Sequence, residues 1–358
     1  MPQLPSTAEM QRAYLACDAG YDGVFYFGVR TTGIFCKPSC RAKKPRPENV
    51  EFFADARAAS LAGYRPCKRC RPLDAPGTPP PWIARLIEDI ERDPARRIRE
   101  RELRERGLDP ARVRRWFKDH CGMSFSAYCR GRRMNTALQA IRNGESVTDL
   151  AIGHGFESES GFRSAFERSF GRAPADAGLD PIRVAWLDSP LGPMLAAARD
   201  EGIVLLEFTE RRMLKAQFDA LRKHFKVPLV PGEHPHLARL RVELAEYFRG
   251  ARTSFTLPLV FPGSAFQRTV WTALLDIPYG QTRSYQDLAQ VVGRPGACRA
   301  VGSANGKNRI AILIPCHRVV NKNGALGGYG GGRWRKQRLF EIERDAAARS
   351  GDAATGGA

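Results

Sequence analysis

Residues 310–320 read Ile310-Ala-Ile-Leu-Ile-Pro-Cys-His-Arg-Val-Val320. A short apolar run ends at Pro315, and Cys316 is followed directly by His317 and Arg318. A thiol beside a base and a guanidinium has partners able to hold it as the thiolate, the form that acts as a nucleophile. A Cys-His dipeptide alone says little, because most are incidental. The extended run Ile-Pro-Cys-His-Arg-Val-Val is what makes the reading specific.

Upstream of this run, Gly202-Ile-Val-Leu-Leu-Glu-Phe208 reads as a buried strand, and beyond it helical patterns alternate with turns marked by Pro and Gly. With these flanks, residues 181–345 resemble the O6-alkylguanine–DNA alkyltransferases, and the run through Cys316 matches that family's active-site signature. The resemblance implies an N-terminal α/β part over 181–262, a catalytic DNA-binding part over 263–345, and no cofactor in either. It implies that Cys316 accepts a methyl group from O6-methylguanine, and from O4-methylthymine as well. His317 is then the base and Glu343 the carboxylate that orients it. Asn308 matches the asparagine bracing the reactive turn, and Arg299 the arginine that fills the gap left by a flipped base. Tyr285 matches the tyrosine that supports flipping and donates to the departing guanine. Tyr329, in Gly327-Gly328-Tyr329, matches the loop lining the guanine pocket. A helix-turn-helix from Ser284–Val292 and Ala297–Gly306 is implied, binding DNA through the minor groove. Gly330 stands where some relatives carry a serine, a departure that bears on which bulky adducts fit. The chemistry is coherent: O6 lies inside the base stack, so transfer requires extruding the nucleotide at a cost of a few kcal/mol.

The chain has 358 residues, longer than one hydrophobic core usually serves, so two or three domains are expected. Lys and Arg number 57 against 38 acids, a net charge of +19 that points to a polyanion partner, most simply double-stranded DNA. An Arg-rich soluble protein would show the same excess, so charge alone does not decide. Met1–Met10 lack the basic start and apolar core of a secretory peptide, and no apolar run approaches the roughly 18 residues of a membrane span. The nine cysteines are unevenly placed, unlike a secreted disulfide framework. A cytoplasmic protein with no membrane partner is expected.

Two cysteine pairs, Cys36-Lys-Pro-Ser-Cys40 and Cys67-Lys-Arg-Cys70, occupy residues 1–78. Their spacing fits one tetrahedral Zn2+ held by Cys36, Cys40, Cys67 and Cys70. So small a domain needs such a staple. The bland reading is a purely structural zinc. Against it stand Lys37, Arg41, Lys43, Lys44, Arg46, Lys68, Arg69 and Arg71, which can bring a phosphate backbone close, and zinc-bound thiolates are nucleophiles at neutral pH. The isolated Cys17, Cys121 and Cys129 read as small apolar fillers; Cys298, beside Arg299, is placed to pack under the intercalating helix.

The proline-rich stretch Asp74–Pro81 and a weaker break at Ala173–Pro181 bound a helical segment over 79–180. It holds two similar units. Leu103–Gly107 leads through Asp109-Pro110, an N-cap and first-turn proline, into a helix with Val113, Trp116 and Phe117 on one face and Arg112, Arg114, Arg115 and Lys118 outward. Val147–His154, the turn at Gly155 and Ser158–Ser169 repeat the pattern with Phe162 and Phe166 inward, and Met134, Leu138 and Ile141 stripe the connecting helix. Paired helix-turn-helix units suit successive major-groove faces; a plain helical bundle is the alternative. Gly155-Phe-Glu-Ser158 and Phe170-Gly-Arg-Ala-Pro174 resemble the second unit of an AraC-type DNA-binding domain.

Taken together, the three segments resemble a family of bifunctional, methyl-responsive activator and repair proteins, with Arg30-Thr-Thr-Gly-Ile-Phe-Cys36 and Arg65-Pro-Cys-Lys-Arg-Cys70 matching its zinc domain. The fold class implied is multidomain α+β: a small zinc domain, an all-α double helix-turn-helix domain and an alkyltransferase, with a disordered tail over 346–358. The resemblance makes Cys36 both zinc ligand and acceptor of a methyl from a DNA methylphosphotriester. A monomer that binds alkylated and promoter DNA, and RNA polymerase when activating, is expected. Two rival readings remain at this level: repair with a degenerate AraC-type domain, and a transcription factor with an inactive alkyltransferase domain.

Overall fold

The computed structural model describes residues 4–74, 79–170, 173–174, 180–209, 211 and 213–355, with side chains through Arg349. The proline-rich connector thus falls partly, and the break after Ala173 mostly, outside the described residues.

The N-terminal domain is a small sheet with two helices. Helix α1 (Thr7–Leu15) is capped by Ser6, and α2 (Ala56–Leu61) by Asp55, whose carboxylate accepts from Ala58 N at 2.7 Å. Strands β1 (Tyr26–Val29), β2 (Ile34–Cys36), β3 (Val50–Phe53) and β4 (Arg65–Pro66) lie in the order β3-β1-β2-β4. The parallel register Phe35↔Pro66 sets Cys36 and Cys67, each one residue further on, side by side. Here pairing, not spacing, brings the two cysteine pairs together.

Among the described residues the middle domain has six helices: α3 (Pro81–Arg92), α4 (Glu100–Glu105), α5 (Pro110–Cys121), α6 (Phe125–Arg142), α7 (Val147–Gly153) and α8 (Glu159–Phe170). Both units have their own core. One gathers Ile83, Leu86, Leu103, Val113, Phe117 and the start of α6; the other gathers Met134, Leu138, Leu150, Phe162 and Phe166. Asp109 caps α5 as its sequence position implies. The turns pass through Gly107 (φ +71°) and Gly155 (φ +68°), a left-handed backbone that favours glycine. Arg112, Arg114, Arg115 and Lys118 are exposed on α5.

The last domain opens with a sheet in the order β7-β6-β5-β8, from β5 (Ile182–Leu187), β6 (Met194–Arg199), β7 (Gly202–Phe208) and β8 (Leu229–Pro231), with α9 (Leu214–Phe225) and α10 (Pro235–Phe248). Every residue of β7 is buried, because its outer edge meets the reactive run: Leu206 N donates to Arg309 O at 2.9 Å, and Ala311 N to Leu206 O at 2.7 Å. The second half follows as α11 (Ala265–Leu275), β9 (Arg283–Ser284), α12 (Tyr285–Val291), α13 (Cys298–Gly306), β10 (Val319–Val320) and α14 (Arg333–Thr355). Helices α12 and α13 are the expected helix-turn-helix. Helix α14 carries the chain past Ala346, which is buried close to where a side chain on Gly250 would sit, and the tail expected over 346–358 lies partly outside the described residues.

The domains share packed surfaces. Trp116 on α5 stacks on Trp186 of β5 at 5.7 Å, and Val230 of β8 joins the second helical core. Arg333 at the start of α14 pairs with Glu9 of α1 at 2.6 Å. No described helix is long and apolar enough to cross a membrane.

Candidate active site and zinc-ligand cluster

Cys316 is not on a strand. The run before it turns twice, with Ile312 at φ +71°, and Cys316–Arg318 form a single 3-10 turn. A β-branched residue in the left-handed region is strained, so its neighbours must hold it there. Asn308 is one such neighbour. Its Oδ1 accepts from Ile310 N at 2.9 Å, and its Nδ2 donates to Ile314 O at 2.9 Å and to Cys316 Sγ at 3.0 Å. The amide thus braces both ends of the turn and touches the sulfur.

Glu343 and His317 have no exposed surface. Glu343 accepts from His317 Nε2 at 2.7 Å, Tyr247 Oη at 2.7 Å, Arg318 Nε at 2.8 Å and Nη2 at 3.0 Å, and Gly280 N at 3.0 Å. Burial alone would raise this carboxyl, but His317 and Arg318 outweigh it and hold the carboxylate well below its usual range. Burial lowers the His317 pKa despite the facing carboxylate, so the imidazole is neutral at pH 7. With Nε2–H directed at Glu343, Nδ1 is left as the acceptor, and no group among the described residues satisfies it. Burial raises the Cys316 thiol, opposed by the Asn308 hydrogen bond and by Arg211. The resting thiol therefore needs a base.

Cys316 opens into a cavity of about 540 Å³ whose walls include Tyr285, Tyr329, Asn305, Glu207, Arg211 and Gly328. Tyr285 is half-buried at the start of α12, and the Tyr329 hydroxyl is buried with no hydrogen-bond partner among the described residues. The rim is completed from the other end of the chain by Asp18, Ala19 and Gly20. Arg299, on the first turn of α13, is exposed and outside the cavity wall. The expected residues Cys316, His317, Glu343, Asn308, Tyr285 and Tyr329 thus converge, while Arg299 faces outward from the helix-turn-helix. Sequence reading passed over Tyr247, Asn305, Arg211 and Glu207, and took Arg318 for a partner of the thiolate, whereas the structure turns its guanidinium onto Glu343. A charged Glu207 near the end of an apolar strand is a visible anomaly. Nothing local to Tyr247 ties it to a carboxylate 96 positions away.

In the N-terminal domain the sulfurs of Cys36, Cys40, Cys67 and Cys70 all lie within 4.8 Å of one another. A tetrahedral zinc with Zn–S of about 2.3 Å needs sulfurs about 3.8 Å apart, so the set fits. Cys36 is pushed up by its hydrogen bonds to Cys40 and Cys70 and by burial: packed thiols cannot all ionise without a cation among them. Arg41, Lys43, Arg46, Lys68 and Arg69 are exposed around the cluster. Cys121 and Cys129 pack in the first helical core as expected, and Cys298 packs against the core of the last domain. Cys17 departs from its reading as a filler, donating to the carbonyl of Cys40 at 3.4 Å.

Comparison with known families and proteins covers nearly the whole chain. Residues 9–73 match the metal binding domain of Ada, and 103–177 a helix-turn-helix domain. Residues 182–261 match the ribonuclease-like domain of 6-O-methylguanine DNA methyltransferase, and 265–345 its DNA binding domain. The bifunctional transcriptional activator/DNA repair enzyme Ada of Escherichia coli K12 is 35% identical over 348 residues, covering 93% of this chain and 95% of that protein. The methylated-DNA–protein-cysteine methyltransferase of Mycobacterium tuberculosis H37Rv is 46% identical over 166 residues, 46% of this chain and 94% of its own length. A crystal structure of Mycobacterium tuberculosis OGT in complex with DNA matches at 41% identity and a TM-score of 0.40, covering 46% of this chain and 93% of that one.

Proposed function

The chain belongs to the Ada family, 35% identical to the Escherichia coli member across 93% of its length, and from that premise we propose that it repairs alkylated DNA at Cys316 and senses alkylation at Cys36. Cys316 takes the methyl of O6-methylguanine, and of O4-methylthymine, in a single irreversible turnover. One Zn2+ belongs to the N-terminal domain, where Cys36, Cys40, Cys67 and Cys70 would hold it and where it would keep the sulfurs ionised. Methyl transfer from a phosphotriester to Cys36 turns the protein into an activator of transcription.

The observation that carries the repair reading is Cys316 in the wall of the cavity, its sulfur held by Asn308, with the adjacent His317 hydrogen-bonded to the buried Glu343 and its Nδ1 left as an acceptor. The thiol proton passes to Nδ1 of His317 by way of a water, and the buried Glu343 stabilises the cation formed. The S–C bond forms as the C–O6 bond breaks, and Tyr285 supplies the hydrogen bond or proton that the leaving guanine needs. Tyr329 lines the base pocket. Arg299 stands exposed where it can enter the stack vacated by the flipped nucleotide, at a step costing a few kcal/mol. The product is a thioether with no route back.

For the sensor, four thiolates on Zn2+ carry a net charge of −2, which repels phosphate. Methylation of Cys36 removes one negative charge, and the exposed cations around the cluster then bind promoter DNA more tightly. Two helix-turn-helix units in one chain offer two groove contacts without a second copy, which supports action as a monomer, and activation engages RNA polymerase. Free thiols at both sites suit a reducing, DNA-containing cytoplasm. The deciding experiment uses DNA with labelled methyl groups, followed by digestion and peptide mass mapping. Label is expected on Cys316 and Cys36, and the Cys36-methylated form should bind its operator more tightly at equal salt. Label on Cys316 alone removes the sensor, and none on Cys316 removes the repair reading.

A further inference from the structure

Glu207 is a charged residue with no exposed surface, near the end of the apolar strand β7. A buried carboxylate persists only with a cation and hydrogen bonds around it. Arg211 Nη1 donates to it, joined by Gln217 Nε2 at 3.2 Å and Phe208 N at 3.0 Å. The same guanidinium reaches two further acceptors. Nη1 also donates to the carbonyl of Asn308 at 2.8 Å, and Nη2 to the carbonyl of Gly306. Gly306 is the last residue of α13, where terminal carbonyls form the negative end of the helix. Asn308 is the residue whose amide touches the sulfur. Both Arg211 and Glu207 line the cavity with Cys316. Gly330 leaves the room: a Cβ there would lie 2.5 Å from Arg211 Cζ.

We propose that Arg211, clamped by Glu207, is a positioning residue for methyl transfer, locking the end of the DNA-binding helix α13 to the Asn308 turn and presenting its cation to Cys316 and the base pocket. This rests on Cys316 being the methyl acceptor. It adds to the His317–Glu343 relay, with which it shares no hydrogen bond. The groups bearing on the sulfur are Asn308, Arg211, Glu207 and Lys336, its neighbour His317, and the hydroxyls of Tyr285 and Tyr329. Among them Arg211 lowers the thiol and Glu207, at the far end of the pair, raises it by a smaller amount. During transfer, charge gathers on sulfur when the proton leaves for His317. It then passes to the guanine as the C–O6 bond breaks, and both charged species lie inside the cavity that Arg211 lines.

The test compares Arg211→Gln and the isosteric Glu207→Gln in the full zinc-loaded chain. Single-turnover transfer to Cys316 is followed from saturating O6-methylguanine duplex across pH, with transfer to Cys36 from a methylphosphotriester as the internal control. Each unit by which a thiol pKa rises cuts the thiolate tenfold and returns about threefold in nucleophilicity. Arg211→Gln should therefore be slower near neutral pH, by about threefold for every unit that the thiol rises, with the deficit closing as pH rises. Glu207→Gln should shift the profile the opposite way, and the Cys36 rate should not change in either. Unchanged profiles in both variants, or an equal loss at every pH in both, overturns the proposal while wild-type transfer to Cys316 proceeds. Absence of methyl on wild-type Cys316 instead overturns the repair reading on which it stands.

Discussion

Replacing Glu343 with Gln tests the relay most sharply, because the change is isosteric and, among the described residues, five donors and no acceptors face the carboxylate. Oε1 receives Tyr247, His317 and Arg318 Nη2, while Oε2 receives Gly280 N and Arg318 Nε. A glutamine can keep its oxygen at the first position only by turning its NH2 toward two N–H donors. Each donor left unsatisfied in the interior costs about 1–3 kcal/mol, and Arg318 also loses its buried countercharge, for a total near 3–5 kcal/mol. The chemical loss is separate. Without the carboxylate the imidazolium that forms on accepting the thiol proton is unsupported, so the rate should fall about a hundredfold to ten-thousandfold, the usual span of general-base catalysis. The assay is single-turnover methyl transfer to Cys316 at a temperature where circular dichroism shows the variant folded, with transfer to Cys36 as control. A Cys316 rate within threefold of wild type would refute the relay, whatever the stability cost.

Four further outcomes follow from the same geometry. Stripping the metal with a chelator, or Cys40→Ser, should unfold the N-terminal domain and abolish transfer to Cys36, while Cys316 still repairs; hydrogen exchange over residues 26–53 and the two rates report this. Arg299→Ala, at an exposed position, should leave the melting temperature unchanged yet slow repair of duplex DNA about tenfold, with a smaller effect on single strands that need no extrusion. With pH, His317 is depressed from 6.5, so the Cys316 rate should hold through that value and fall only in more acidic solution. Stability shares that sign. Glu343 has a depressed pKa, so its contribution is complete above the ordinary carboxylate value of 4.5 and is lost as pH falls through the folded value. Neutral buried His317 begins to cost stability below 6.5, where the unfolded chain binds its proton. Acid melts should show both, and greater stability at pH 5 than at pH 7 would contradict the assignment.

Much of this protein was legible along the chain because its chemistry sits in short, contiguous motifs. Cys316-His317, the two cysteine pairs and the capped helices of the middle domain are local patterns, and local patterns survive without coordinates. Asp109 caps α5, and Gly107 and Gly155 turn left-handed, because short-range sterics and hydrogen bonding demand it. The end of the chain is a different case. Its small residues carry little local signal, and it is tertiary contact that buries Ala346 on α14.

What the chain order alone determined is therefore the inventory: an acceptor thiol with its base, a four-sulfur metal set, and paired helix-turn-helix units. Only the tertiary structure decided how those groups are tuned. Tyr247 and Gly280 reach Glu343 from distant elements, β2 and β4 pair in parallel to close the sulfur cluster, and Asp18–Gly20 meet the rim of a cavity built some three hundred residues later. Arg211 finds Asn308 across 97 positions. Electrostatic tuning depends on distance and burial, both of which fall off within a few ångströms, and sequence separation carries no measure of either.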